Sequence, residues 1–175
     1  MSTAPHQAGA GVEPAWEQRV TALWAAQPDS SVESFLAAMQ ALVAERPADD
    51  PVALFEHASA LDSTGHPDAA VPLYRQSLAQ GLGGLRRRRA TIQMASSLRN
   101  LGCTAESVAL LTGELEGSSD ELDDAVRAFL ALALADSGRE REGLAIALGA
   151  LARHLPRYQR SLTNYAAELS GGEDR

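Results

Sequence analysis

The segment of residues 54–65 reads LFEHASALDSTG, and related segments follow at residues 91–102 (TIQMASSLRNLG) and 127–138 (RAFLALALADSG). Each segment ends in a glycine, and the three glycines are spaced 37 and 36 residues apart. Before each glycine, large and small side chains recur three and four positions apart, which is the spacing of one helix face. Each segment therefore predicts a helix, a turn at glycine and a second helix. A period of this length indicates a solenoid of helix–turn–helix units.

The composition favours the same all-α fold. The 175 residues include 33 Ala and 24 Leu but only 2 Ile and 3 Phe. Ala and Leu are strong helix formers, whereas the β-branched and aromatic residues that favour strands are scarce. A sheet protein is therefore not expected.

The repeat pattern resembles that of a known family. Large-x2-large-small-x2-large, then Gly, then small-x3-aromatic (Ala70 to Tyr74) is similar to the tetratricopeptide repeat. The stretches at residues 85–90 (LRRRRA), 98–102 (LRNLG) and 132–136 (LALAD) resemble a compact bacterial branch of that family. The resemblance covers residues 51–153, and 14–50 more weakly, and it implies a right-handed α-solenoid. The signature Trp and Tyr are mostly replaced and the period exceeds about 34 residues, so a HEAT-like solenoid stays open as the alternative.

The expected organisation is one domain over residues 14–169. It comprises a degenerate helix pair (14–50, with helices at 14–26 and 31–46), three repeats (51–82, 85–116 and 120–154) and a C-terminal capping helix (156–169). Ser30 and Glu33 have capping-box spacing, and Asp50 followed by Pro51 predicts the start of the third helix. Residues 1–13 and 170–175 lack helical periodicity and are expected to be a disordered leader and tail.

Charge and hydropathy argue against several kinds of partner. The formal net charge is −8, which disfavours binding to nucleic acid or to an anionic membrane surface. The longest apolar run, residues 128–135, is far shorter than the roughly 20 residues that span a bilayer. The first residues also lack the pattern of a secretory signal. We therefore expect a cytoplasmic protein with no nucleic-acid or membrane partner.

No motif points to catalysis, a metal or a cofactor. The four His have no ligand-like spacing, and His57 is interpreted as a core or boundary residue. Cys103 is the only cysteine and has no His near it in sequence. Gly81, Gly83 and Gly84 lack the strand and Lys of a phosphate-binding loop. The sequence predicts a protein that is not an enzyme.

Arg86 to Arg89 are unusual, because four positive charges near a helix N-terminus oppose the helix dipole. One hypothesis is structural: parallel helices of successive repeats bring acidic side chains to both sides of the arginines. The acidic residues expected there are Asp49 and Asp50 on one side, and Asp120, Glu121, Asp123 and Asp124 on the other. The second hypothesis is that the cluster contributes to ligand binding.

The resemblance implies that the first helix of each repeat lines a concave groove. Arg89, Gln93, Ser96 and Asn100 are spaced 4, 3 and 4 and share one helix face. The groove residues implied for the whole array are Phe55, Ser59, Asp62, Arg89, Gln93, Ser96, Arg99, Asn100, Phe129, Leu132, Tyr158 and Tyr165. A positive centre with aromatic flanks suits a peptide that carries a carboxylate and an apolar anchor. The carboxylate clamp of chaperone-binding members is not matched, because Phe55 and Ser59 replace its Lys and Asn.

Three functions follow as hypotheses. The first is a non-enzymatic protein–protein interaction module that binds a peptide or partner segment in the groove. The second is a sensor that binds a small anion or phosphorylated metabolite at Arg89, Arg99 and Asn100. The third is self-assembly, as a homodimer or larger array, through the Ala-rich third repeat.

Overall fold

A computed structural model describes residues 12–117 and 119–171 of the chain. In these residues every regular element is helical, which confirms the predicted all-α fold. A short 3-10 turn, Gln27–Asp29, follows the first helix. The helices are α1 (Val12–Ala26), α2 (Val32–Val43), α3 (Pro51–Ser63), α4 (Pro67–Ala79), α5 (Gly84–Asn100), α6 (Thr104–Glu116), α7 (Asp123–Asp136), α8 (Glu140–Ala152) and α9 (Gln159–Ser170).

The chain ends differ from expectation where the structure describes them. Residues 1–11 and 172–175, which include most of the expected leader and tail, lie outside the described residues. Helix α1 begins at Val12 and therefore includes two residues of the expected leader. This is physically reasonable because Pro14 falls in the first helical turn, where a missing N–H costs little. At the other end, α9 includes Ser170, and the Gly171 N–H donates to Ala167 O at 3.1 Å.

The predicted cap of α2 is wrong by one residue. Ser31 is the N-cap, and its Oγ accepts a hydrogen bond from the Ser34 N–H at 3.2 Å. Ser30 instead belongs to the preceding turn, where its Oγ donates to Ala26 O at 2.9 Å. Helix α2 also ends at Val43 rather than at residue 46.

The predicted start of α3 is confirmed. Asp50 Oδ1 accepts hydrogen bonds from the N–H groups of Val52 and Ala53, both at 2.9 Å, and Pro51 occupies the first helical turn. At the C-terminal end of the chain, the expected capping helix begins at Gln159 rather than at residue 156. Tyr158 precedes it in the left-handed conformation, with φ 69°.

The three repeat glycines adopt one turn geometry, which explains why they recur. Gly65, Gly102 and Gly138 have φ values of 85°, 80° and 76°, a region that strongly favours glycine. In each turn the N–H of the next residue donates to the carbonyl five positions earlier at 2.9 Å, which satisfies a free carbonyl at the helix end. The three pairs are His66 to Leu61, Cys103 to Leu98 and Arg139 to Leu134.

Each helix packs against the helices that precede and follow it in the chain. In addition, α3 contacts α5, and α5 contacts α7. This arrangement is that of a helical solenoid and brings the first helices of the repeats together along one side. Three buried apolar clusters follow one another along the array. Val52 packs against both the first and the second cluster, and Leu110 packs against both the second and the third. The expected division into a single domain stays a prediction.

Candidate functional site

A pocket of about 430 Å³ opens between α1, α3 and α5. Its walls combine carboxylates, arginines, hydroxyl groups and one tryptophan. The lining residues are Glu17, Val20, Thr21 and Trp24 from α1; Glu56, Ser59, Asp62 and Ser63 from α3; and Arg86, Arg89 and Gln93 from α5. Four of the predicted groove residues, Ser59, Asp62, Arg89 and Gln93, therefore meet in one pocket.

Helix α1 forms a wall of this pocket that sequence reasoning missed. Trp24 Nε1 donates to Glu56 Oε2 at 2.8 Å, and an Arg86 guanidinium nitrogen donates to Glu17 Oε2 at 2.5 Å. Arg86 Nε also lies 3.5 Å from Glu56 Oε1. One signal of this wall is in the sequence: Trp16, Val20 and Trp24 recur at four-residue spacing and mark an apolar helix face. It does not reveal that Glu17 and Glu56 bind the same arginine.

Two of the four consecutive arginines join α5 to the elements that follow it: Arg87 pairs with α6 of the same repeat, and Arg88 pairs with the start of the next repeat. Arg87 donates to both Glu114 carboxylate oxygens, at 3.0 and 2.7 Å. Arg88, only 4% exposed, pairs with Asp120 and with Asp123 Oδ1, the latter at 2.7 Å. The predicted acidic partners on this side are therefore confirmed for Asp120 and Asp123.

The other predicted acidic partners are wrong. Asp50 caps α3 and pairs with Arg46 at 2.6 Å, so it is not available to the arginine cluster. Asp124 pairs instead with Arg127, Arg153 and His154, at 3.0, 3.0 and 2.9 Å. Asp49 and Glu121 make no ion pair with the cluster in the described part of the chain. The carboxylates on the N-terminal side of the cluster belong to Glu17 and Glu56.

Arg89 differs from the other three arginines. Its guanidinium lies over the Phe55 ring, 5.3 Å from the ring centroid. In the part of the chain that the structure describes, no carboxylate lies within ion-pair distance of it, and its side chain is exposed. Arg89 is the sixth residue of α5 and lies beyond the first turn, where the helix dipole acts most strongly. Its exposed cation–π contact is worth about 0.5–1 kcal/mol, so Arg89 contributes little to stability.

Asp62 is the complementary case, a carboxylate of the pocket without a cationic partner among the described residues. Its Oδ1 accepts from Ser97 Oγ at 2.7 Å, and its Oδ2 lies 3.4 Å from the Tyr74 hydroxyl. Burial raises the pKa of Asp62, and the hydrogen bonds from Ser97 and Tyr74 oppose that rise. A carboxylate has lone pairs for about four hydrogen bonds, so Asp62 keeps accepting capacity.

Tyr74 connects the polar groups beneath the pocket. Its hydroxyl lies 3.5 Å from Ser59 Oγ, and Ser59 Oγ donates to Gln93 Oε1 at 3.3 Å. Burial raises the pKa of Tyr74; the Ser59 hydrogen bond and the nearby positive charge of Arg89 act in the opposite direction, and Asp62 adds to the rise. Arg89 therefore lowers the pKa of the Tyr74 hydroxyl and Asp62 raises it, although the two residues do not pair with each other.

The remaining predicted groove residues do not line this pocket. Phe55 is fully buried beneath Arg89, so it supports the pocket and presents no surface to a ligand. Arg99 pairs with Asp136 Oδ2 at 3.1 Å, and Phe129 packs against the third apolar cluster. Farther along the array, Ser96 is half-buried, whereas the exposed residues are Asn100, Leu132, Tyr158 and Tyr165.

His57 and Cys103 both lie outside the pocket lining. His57 on α3 is half-buried, and burial lowers its pKa. Cys103 is exposed and precedes α6. Across residues 12–117 and 119–171, no group of three or more His, Cys, Asp or Glu side chains could hold a metal ion. None of the described helices is both long enough and apolar enough to cross a membrane.

The helices and the repeated glycine turns between them define an α-helical repeat protein. A family model described as "Tetratrico peptide repeat" matches residues 51–169, which is more than half of the chain. The chain therefore belongs to the tetratricopeptide repeat family. Members of this family are generally protein–protein interaction modules, and the resemblance found in the repeat motifs is confirmed.

A solved structure described as "MamA RS-1 ArsTM double mutant" is similar to this chain. The TM-score is 0.60 at 14% sequence identity, and the match covers 91% of this chain and 96% of that chain. At this identity the likeness concerns the fold alone. No curated protein matches the chain.

Proposed function

We propose that this protein is a non-enzymatic interaction module that binds a segment of a partner protein in the groove between α1, α3 and α5. The observation that carries the proposal is the polar pocket itself, where Arg89 presents a cation that has no ion-pair partner among the described residues and shares the lining with Val20 and Trp24. An arginine binds a carboxylate through two parallel hydrogen bonds, and an adjoining apolar wall accommodates an aliphatic or aromatic side chain. The family supports the general role, and the pocket supports this location for it.

Two helical threonines provide a matched test. Thr21 lines the pocket, is exposed, and its Oγ1 donates to Glu17 O at 2.9 Å. Thr163 on α9 is also exposed, and its Oγ1 donates to Gln159 O at 2.9 Å. Thr21→Trp fills the pocket, whereas Thr163→Trp makes the same chemical change in an equivalent helical setting away from the pocket.

The experiment is affinity capture from a lysate of the source cells, with each variant checked for folding by circular dichroism. We expect partners to be retained by the wild type and by Thr163→Trp, and to be lost with Thr21→Trp. Equal capture by all three proteins would contradict the proposed groove and place recognition on another surface.

Sensing of a small anion is the second candidate function. Of the residues predicted to bind the anion, Arg89 supports it, because Arg89 has no ion-pair partner among the described residues. Arg99, which we expected to share the anion, pairs with Asp136. Thermal-shift measurements with inorganic phosphate check this alternative: no stabilisation of the wild type would remove it. Cytoplasmic location, bacterial origin and a homodimer stay predictions.

A further inference from the structure

We infer that the pocket between α1, α3 and α5 recognises a ligand carrying two opposite charges close together, a carboxylate that binds Arg89 and an ammonium or guanidinium group that binds Asp62. This inference rests on the proposed function, because it defines the chemistry that a partner segment presents to the same pocket. A segment with neighbouring acidic and basic side chains has this chemistry, and so does a free amino acid.

The first step concerns the charges that line the pocket. Glu17 and Glu56 both pair with Arg86, and Glu56 also accepts the Trp24 hydrogen bond. Both carboxylates therefore have a cationic partner within the protein, and the two share one arginine. Arg89 and Asp62 are left as the cation and the anion of the pocket that have no ion-pair partner among the described residues.

The second step is that Arg89 and Asp62 stay apart although they line the same pocket. Arg89 is held over the Phe55 ring, and Asp62 is held by Ser97 and by the Tyr74 hydroxyl. Each charge is therefore positioned by its own contacts on a different helix. Two opposite charges that are fixed apart in one pocket are complementary to a ligand with both charges, because that ligand satisfies both at once.

The third step concerns the hydrogen-bonding groups beside the two charges. Gln93 Oε1 accepts from Ser59, so the Gln93 amide N–H groups point away from that bond and are able to donate. Gln93 follows Arg89 by four residues on α5, so the two side chains share one helix face. Together they form the carboxylate side of the pocket, and Asp62 on α3 forms the cation side.

The whole-chain charge agrees with a ligand of this kind. With a net charge of −8, the protein repels a purely acidic partner at long range. A ligand with paired charges is neutral overall and avoids that repulsion. Glu17 and Glu56 share the one positive charge of Arg86, so the pocket as a whole is slightly acidic, and this favours a ligand that brings a cation together with its carboxylate.

The test uses four pools of short acetylated and amidated peptides without tryptophan, with binding followed by the tryptophan fluorescence of the protein, to which Trp24 in the pocket wall contributes. The pools contain Glu and Lys together, Glu with Gln, Gln with Lys, or Gln alone at the same positions. Free glutamate, lysine and alanine are the small-molecule probes. We expect the wild type to bind the Glu–Lys pool at least about tenfold more tightly than the Gln-only pool.

Isosteric and near-isosteric variants assign each charge to its residue. Arg89→Gln should abolish the preference for Glu while the preference for Lys remains. Asp62→Asn keeps an oxygen that can accept from Ser97, and its amide nitrogen can donate to the Tyr74 hydroxyl oxygen in place of the bond that Asp62 accepts from Tyr74. This variant should abolish only the preference for Lys. Arg75→Gln is the control, because Arg75 makes an exposed pair with Glu106 at 2.7 Å and does not line the pocket.

Each outcome decides the inference. A preference that survives both Arg89→Gln and Asp62→Asn overturns it, and so does the absence of any binding at about 1 mM. If capture of partners depends on Thr21 but the charged pools show no preference, the proposed function stands and this inference fails. If free amino acids bind through Arg89 and Asp62 while capture ignores Thr21→Trp, the charge pairing stands and the partner-binding function fails.

Discussion

At the scale of single residues, four identical side chains in a row have different roles. Successive residues on a helix are turned by about 100°, so each arginine of the cluster meets a different neighbour. Arg86 binds carboxylates of α1 and α3, whereas Arg87 and Arg88 bind those of α6 and the segment that leads into α7. Arg89 is left facing the pocket. The structural hypothesis therefore holds for Arg86, Arg87 and Arg88, whereas ligand binding by Arg89 stays a proposal.

Removal of the buried arginine should destabilise the protein. Arg88→Gln removes the cation that Asp120 and Asp123 share next to the core, and it leaves Asp123 only a long ion-pair contact with Arg127 at 3.8 Å. Loss of one partner of a fully buried pair costs about 3–5 kcal/mol, and we expect about 2 kcal/mol because both carboxylates are partly exposed. Urea denaturation measures the change in unfolding free energy. The unfolding free energy of Arg75→Gln, which breaks an exposed pair, should stay within about 0.5 kcal/mol of the wild-type value. Equal losses of unfolding free energy in the two variants would show that burial of Arg88 does not strengthen its ion pairs.

Asp123 should make stability depend on acid pH. The Ser119 hydroxyl and the Arg88 guanidinium hold the pKa of Asp123 at about 2, below the usual 3.8. A carboxylate with a lowered folded-state pKa stabilises the fold above its usual pKa, and this contribution is lost as the pH falls toward the folded value. We expect Asp123→Asn to be less stable than the wild type at neutral pH, with the difference shrinking between about pH 4 and pH 2. A difference that does not change over this range would contradict the assignment.

At the scale of the helices, small residues decide how closely the two helices of a repeat approach. A Cβ atom at Gly143 on α8 would lie 2.6 Å from the backbone oxygen of Ala131 on α7. The corresponding second-helix positions of the earlier repeats carry Ala70 and Ser107, which are also small and buried. The close approach of α7 and α8 thus requires glycine, and a backbone oxygen cannot move aside as a flexible side chain can.

Two glycine-to-alanine substitutions separate this packing effect from helix propensity. Gly143→Ala should destabilise the protein by about 1–3 kcal/mol, because α7 and α8 must move apart. Gly113 lies inside α6, and a Cβ there would meet nothing within 4 Å. Gly113→Ala should therefore stabilise the helix by up to about 1 kcal/mol. Thermal unfolding of both variants checks the opposite signs; destabilisation by both would argue against the steric explanation.

At the scale of the whole molecule, the three apolar clusters form a line in which each touches only the next. Stability in such an array is a sum of local terms and interfaces between neighbours. Both tryptophans belong to the N-terminal end: Trp16 lies in the first cluster, and Trp24 packs against it. Tryptophan fluorescence therefore reports one end of the array, whereas circular dichroism reports all of its helices.

The unfolding transitions measured by these two probes should no longer coincide when one end of the array is destabilised. In Gly143→Ala, circular dichroism should begin to change at lower urea than fluorescence, because α7 and α8 unfold first. In Met39→Ala, which removes a fully buried side chain from the first cluster, fluorescence should change first. Superimposed transitions in both variants would show that the array unfolds as a single cooperative unit.

Local sequence determined the helices and their turns, because the information is contained within a few residues. Helical periodicity, the Asp50–Pro51 start of α3 and the glycines with positive φ act over one or two helical turns. The same short-range rules placed Arg89 and Gln93 on one face. They were less reliable at the ends of elements, where adjacent serines compete to cap a helix, as at Ser30 and Ser31.

Only the tertiary structure decided which charges pair and which side chains line the pocket. Glu17 lies 69 residues before Arg86, and Glu114 lies 26 residues after Arg88, so no local pattern connects them. The packing of α1 against the array also made it a wall of the pocket. Ion pairs between distant residues depend on how repeats stack, and that depends on the volume of every side chain between them. The sequence determined a helical repeat protein, and its packing decided that Arg89 and Asp62 face the same pocket with no ion-pair partner in the part of the chain that the structure describes.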